Sequence, residues 1–202
     1  IPKIEVTPRA NTMPSTALED WKTARVLELD QVEEAHRAVG GSGRGRRYAT
    51  LQVNHAYCML LASQFQGFCR DLHTECATFL VDNVRPTSIR PVLLAEFTIH
   101  RQLDSKNATP SSLGADFGRL GLSFAAELRM HDPQSKNRMK KLEDMNDWRN
   151  AIAHQDFGRF GGNRSLQLQT ARGWRRACQQ LAESFDNVMH EHLRQLVGAS
   201  PW

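Results

Sequence analysis

The sequence predicts an all-α protein, a bundle of five or six helices, on three observations. Apolar residues recur at spacings of three and four over most of the 202 positions. Gly-, Pro- and Ser-rich breaks cut the chain into segments of helix length. The only strand-like alternation, SLQL at Ser165 to Leu168, is too short to anchor a sheet. There is no internal repeat.

Taken in order, residues 1–15 read as an N-terminal arm, since IPKIEVTPRANT is mixed in polarity and holds two prolines. Residues 16–197 read as one helical domain and 198–202 as a C-terminal tail. From Ser15 or Thr16 a first helix is set by Leu18, Trp21, Val26, Leu27, Leu29, Val32 and Ala35. The run GGSGRGRR, Gly40 to Arg47, ends it as a loop. Tyr48 to about Asn83 gives a helix of about ten turns, apolar over most of its surface, which suits the centre of a bundle or a dimer interface. Pro86 stops it. Further helices are expected at Pro91 to Leu103, Leu113 to Arg129, from Asp132-Pro133 with the Arg149–His154 stretch at its end, and from Thr170 to Val197. The last has its apolar stripe at Trp174, Ala177, Cys178, Leu181, Phe185, Val188, Met189, Leu193 and Leu196.

The composition, 40% hydrophobic and 24% charged, is that of an ordinary globular chain. No apolar run approaches the roughly 20 residues a membrane-crossing helix needs, and no basic start precedes an apolar block. A soluble, cytoplasmic protein with no membrane partner is the expectation. Cys58, Cys69, Cys76 and Cys178 form no C-x-x-C pair, and three of them share one predicted helix, so a reducing compartment is expected. The net charge of +4, carried far more by Arg than by Lys, permits a nucleic-acid partner without demanding one. A phosphate loop of the G-x-x-x-x-G-K type and the paired carboxylates of a metal-dependent nuclease are both absent from the sequence.

The stretch DWRNAIAHQDF, Asp147 to Phe157, carries the chemistry. Leu142, Met145, Trp148 and Ile152 form one apolar stripe, and Arg149 points within roughly 40° of Met145, inside it. Asp147, Asn150 and His154 share another face. Arg149 and His154 are therefore about 140° apart on a regular helix, too far to meet at one small substrate atom. Either the helix unwinds just before His154, or a site is assembled from two copies of the chain. An Arg in an apolar stripe is tolerable where that stripe meets another subunit or lines a wet cleft.

Arg149-Asn150, three residues, then His154 resembles the R-N-x-x-x-H signature of HEPN domains, and the chain is similar to their RiboL-PSP group. The long helix with SQFQGFCRDL, Ser63 to Leu72, resembles the F-x-x-F-x-x-D-L-like run of such domains, and RGWRRACQQLAESFDNVMHEHL resembles their final packing helix. The likeness spans about residues 16 to 197. It implies an all-α fold, a homodimer, and a metal-independent endoribonuclease that needs no cofactor. Such enzymes serve in toxin–antitoxin or phage-defence systems, with RNA as substrate and an antitoxin protein as a further partner. In that chemistry the RNA 2′-hydroxyl attacks the adjacent phosphate and leaves a 2′,3′-cyclic phosphate. His154 would move the proton, its ordinary pKa being near neutrality, and Arg149 would clamp the phosphate and its transition state. Asn150 would orient the imidazole or the phosphate, and Asp147, by helix geometry alone, would bias the His154 tautomer. Arg159 and Arg164 are candidate phosphate contacts because they follow the motif closely. The alternatives are a catalytically silent module of the same kind, binding RNA, nucleotide or a protein partner, and a purely structural bundle with Arg149 in a salt bridge. Where some related toxins carry a modifiable Tyr two residues past the His, this chain has Asp156 and then Phe157, so regulation by that route is not expected.

Other residues have plainer readings. Cys69, His73 and Cys76 share a helical face and are zinc-type ligands, yet buried cysteines acting as small hydrophobes are favoured over a metal site. Phe65, Phe68 and Phe79 are expected in the core. Arg70 and Asp71 either pair locally or reach the motif. The loop GRGRR, Gly43 to Arg47, is a solvated loop or a contact for RNA backbone. His190 and His192 are expected at the surface.

Overall fold

The structure, a computed structural model, describes residues 13–40 and 47–202, the Arg47 side chain excepted. Its elements are α1 (Thr16–Asp20), a π turn (Trp21–Arg25), α2 (Val26–Gly40), α3 (Arg47–Asp82), α4 (Arg90–Thr98), α5 (Pro110–Gly118), α6 (Phe124–His131), α7 (Ser135–His154) and α8 (Leu168–Val197). No strand occurs among the described residues, and no helix there is long and apolar enough to cross a membrane. The all-α bundle holds. The expected N-terminal arm, up to residue 12, and most of the GRGRR loop lie outside the described residues.

Helix α3 is the axis of the bundle and packs against α1, α2, α4, α5, α7 and α8. Tyr57, Leu61, Phe65, Phe68, Leu72 and Cys76 are buried within it, as an apolar helix surrounded by neighbours requires. The exposed residues Gln52, Ala56, Ser63, Arg70 and Thr74 fall within about 20° of one line and form an open stripe along this part of the helix, with exposed Asp71 to one side of it. Phe117, Phe124 and Phe185 close the core between α5, α6 and α8, the first two stacked at 4.6 Å.

Local chemistry fixes the ends. The Ser15 hydroxyl accepts the Leu18 N–H at 3.1 Å, as a helix-capping Ser should, and donates to Asp186 on α8. The π turn brings Arg25 over Gly67, where its guanidinium donates to Asp20 at 2.7 Å, Gln64 at 2.8 Å and Asp71 at 2.5 Å. A Cβ at Gly67 would lie 2.4 Å from Arg25 Nη1, so that glycine makes room for the side chain.

Several boundaries differ from the sequence reading, each for a local reason. The segment Leu113 to Arg129 is two helices, because Gly121 takes a left-handed φ of 90° between them. The helix expected to reach Leu103 ends at Thr98, and His100 beyond it has a φ of 59°, which no α-helix accommodates. Helix α7 starts at Ser135 rather than at Pro133, and its N-cap is Gln134, not Asp132, whose carboxylate instead accepts the Gln134 N–H at 2.9 Å in the turn that precedes the helix. SLQL is no strand. Its Leu166 is buried with its carbonyl accepting from Asn54 at 2.7 Å, and α8 begins at Leu168. On α8, Leu196 is exposed, while His190 is buried against Trp202 and hydrogen-bonded to Ser200 at 3.1 Å, and His192 bonds the Leu120 carbonyl at 2.8 Å. The two histidines serve packing at the end of the bundle, a role that spacing alone did not suggest.

Candidate functional site

Helix α7 carries the R-N-x-x-x-H stretch and is held on both sides. Asp132 at its start pairs with Arg138 and accepts from Ser184 of α8 at 3.1 Å. Leu142, Met145 and Ala151 are buried, and Asn146 donates to the Ala108 carbonyl at 2.9 Å. Trp148 stacks on Phe160 at 4.4 Å and meets Phe157 edge-on. The following loop is pinned to α3 by His55, which donates to the Arg164 carbonyl at 2.9 Å and stacks on Phe157.

The helix stays regular through His154 and ends at Gln155, whose φ of 54° is left-handed. Unwinding before His154, one of the two routes to a joint site, is not taken. Arg149 and His154 of one chain therefore keep their separation of about 140° around the axis.

Arg149 lies half-buried and lines a groove of about 320 Å³ with Met59, Ser63, Gln66 and Arg70, which belong to the open side of α3. Its Nη1 donates to Asn150 Oδ1 at 3.2 Å, and the same oxygen accepts from Asn107 at 2.8 Å. No carboxylate pairs with Arg149 among the described residues. Behind it, burial pushes the Cys58 thiol up to about 12, against the smaller opposing pull of the Arg149 charge. The one side-chain hydrogen-bond partner of Arg149 among the described residues is the Asn150 amide.

The other expected site residues are spread around this helix end. His154 is exposed and has no hydrogen bond or ion pair among the described residues, and it does not line the Arg149 groove. Asp147 is ion-paired with Arg159, and no hydrogen bond or ion pair among the described residues joins either to His154. Arg164 holds its guanidinium 5.1 Å from the Phe157 ring centre. Asp156, at the position of the modifiable Tyr, accepts the Gly158 N–H at 2.9 Å and shapes the turn. Arg70 and Asp71 part company: Asp71 pairs with Arg25, while Arg70 enters the Arg149 groove.

Cys69, His73 and Cys76 are buried, and all four cysteines are free thiols. Burial raises the Cys69 and Cys76 thiols and lowers His73 to about 4, with His73 Nε2 donating to the Asp116 carbonyl at 3.0 Å. Among the described residues no cluster of three or more His, Cys, Asp or Glu is arranged for a metal ion.

One charged cluster was not foreseen. Glu33 of α2, buried, accepts from Arg172 at 2.8 and 2.9 Å, from Arg175 at 3.3 Å and from the Tyr57 hydroxyl at 2.8 Å, and Arg175 also pairs with Asp30 at 2.7 Å. Burial works to raise the Glu33 carboxyl, and the hydrogen bonds from Arg172 and Tyr57 outweigh it and hold it below the usual range. The signal for it was present: Glu33 lies four residues past Leu29, on the apolar side of its helix.

No family model, curated protein or solved structure matches the chain. The resemblance to HEPN domains rests on Arg149, Asn150 and His154 in their helical setting.

Proposed function

We propose that the protein is a HEPN-type, metal-independent endoribonuclease that cuts single-stranded or loop RNA and works as a homodimer. The observation that carries this reading is the state of Arg149: a half-buried guanidinium in an apolar stripe, open to a groove and unpaired with any acid among the described residues. A cation left in that condition is poised for an anion from outside the chain. A phosphodiester supplies one.

The chemistry follows from the two side chains. The RNA 2′-oxygen attacks phosphorus and gives up its proton to an imidazole. The bond to the 5′-oxygen breaks, and that oxygen takes a proton from an imidazolium. Arg149 holds the non-bridging oxygens as charge builds on them. Because α7 is regular, Arg149 of one copy works with His154 of the other, and the exposed position of His154 at the helix end leaves it free to do so. Asn150, bonded to Arg149, sets the direction of the guanidinium. A toxin–antitoxin or phage-defence role in the cytoplasm, with an antitoxin as regulator, belongs to the same proposal.

A second reading has one observation in its favour: within a single chain His154 stands outside the Arg149 groove. That arrangement suits a module that binds RNA or nucleotide without cutting it.

The test is cleavage of mixed RNA in EDTA by wild type, His154→Ala and Arg149→Ala, with product 3′ ends analysed. The nuclease reading requires cyclic phosphate ends from wild type and a loss of about 10²-fold or more in each variant. Mixing the two inactive variants should restore about a quarter of the activity, since half the dimers are then mixed and each holds one complete site. Restoration would demonstrate the composite site. RNA binding with no cutting by any form would favour the binding module, and equal cutting by all forms would reject both residues.

A further inference from the structure

We infer that the open stripe of α3 is the track along which the RNA backbone lies, and that Arg70 is its second phosphate contact beside Arg149. This rests on the RNA-directed reading of Arg149 and extends it to a residue outside the motif. Arg70 is exposed, and its guanidinium has no hydrogen bond or ion pair among the described residues. It lines the same groove as Arg149, and Met59, Ser63 and Gln66 of α3 form the rest of the wall. Two guanidiniums in one groove repel each other, and an anion between them reverses the sign of that interaction.

The surroundings keep the groove cationic. Asp71, next to Arg70 in sequence, is turned about 100° away and is engaged by Arg25 at 2.5 Å. Arg101, farther along the stripe, is occupied by Asp104 at 3.2 Å and by Thr74 at 2.7 Å. Arg70 is thus left for an outside partner while its neighbours are satisfied within the chain. From Met59 to Arg70 the groove wall runs about 16 Å along the helix, enough for a stretch of strand rather than a lone phosphate. Contacts of this kind hold the backbone and carry no base preference.

The experiment measures fluorescence anisotropy of two short single-stranded RNAs of different sequence, in EDTA, over a range of salt. The full chain carries His154→Ala, so the probe stays intact. Arg70→Ala should weaken binding about tenfold, equally for both sequences, and make the salt slope shallower by about 0.7. Arg70→Lys should recover part of the affinity, Arg70→Glu should lose more than Arg70→Ala, and Lys141→Ala, on an exposed face of α7, should leave binding unchanged. Unaltered melting temperatures would show that Arg70 is not acting through the fold.

If Arg70→Ala binds with parental affinity and slope while wild type cuts RNA, the track is overturned and the nuclease reading stands. If no form cuts RNA and the Arg70 effect persists, the nuclease reading fails and the track stands. Absence of RNA binding by the parent would overturn the track, as would equal losses in Lys141→Ala.

Discussion

Two places in this molecule bring a pair of arginines to a helix interface, and they are finished differently. At the junction of α2, α3 and α8, Arg172 and Arg175 converge on Glu33, with Tyr57 and Asp30 completing the set. Between α3 and α7, Arg70 and Arg149 share a groove with no acid in it. In the first the charges are balanced inside the chain and belong to the scaffold. In the second no acid among the described residues balances them, and on our proposal that charge is met by an RNA phosphate. Burial of a charge is thus a weaker guide to function than the presence or absence of its counter-charge.

The comparison breaks most visibly at Glu33. Glu33→Ala leaves two guanidiniums and a phenol facing one another, and should cost about 3 to 5 kcal/mol, a fall in Tm of roughly 6 to 20 °C. A loss below about 1 kcal/mol on denaturant titration would mean that the cluster is solvated and the contrast is empty.

The next effect is on pH dependence in the paired interior. Unfolded His73 takes up a proton near pH 6.5, whereas the folded side chain stays neutral down to about pH 4. The unfolded state therefore binds more protons across that window, and stability falls as the pH drops through it, by on the order of 3 kcal/mol. Replacing His73 with Gln should flatten the curve between those values. An unchanged curve would assign the acid sensitivity elsewhere.

Arg149→Ala should change stability by no more than about 0.5 kcal/mol, because it removes no ion pair and relieves a like-charge approach. A fall of about 2 kcal/mol in thermal melts would turn Arg149 into a structural residue and erase the contrast. Gly67→Ala is a comparably small case, because its two effects oppose each other. Better helix propensity contributes about 1 kcal/mol, and displacing the Arg25 guanidinium takes back a similar amount, so the net change should stay within about 1 kcal/mol. A much larger loss would show that Arg25 cannot move.

Much of this was legible in the sequence where periodicity is strong. The first helical segment, the long central helix from Tyr48 and the long final helix lie within a few residues of where their apolar spacing puts them, because packing on a common core sets both pattern and fold. Arg149 stood out as a charge on an apolar stripe, and the structure finds it half-buried against α3. Single-residue backbone states were less visible: Gly121 and His100 end helices by a positive φ that no pattern announces. The Glu33 cluster escaped because its members lie 139 and 142 residues apart, although Glu33 broke its own stripe as Arg149 did. The partnership of Arg70 with Arg149 needed the packing of α3 on α7, which no local spacing encodes.

The π turn at Trp21–Arg25 carries a consequence for chain length. A π turn is an α-helix that has accepted one extra residue. The bulge takes that residue up within one turn, so the flanking segments keep their facing; deleting a position from the regular helix α2, such as Glu28, would instead rotate everything before it by about 100° relative to the rest of α2. Trp21 would then swing out of the core, and Ser15 would leave Asp186. Helix α2 therefore tolerates substitution on its outer face far better than it tolerates being one residue shorter.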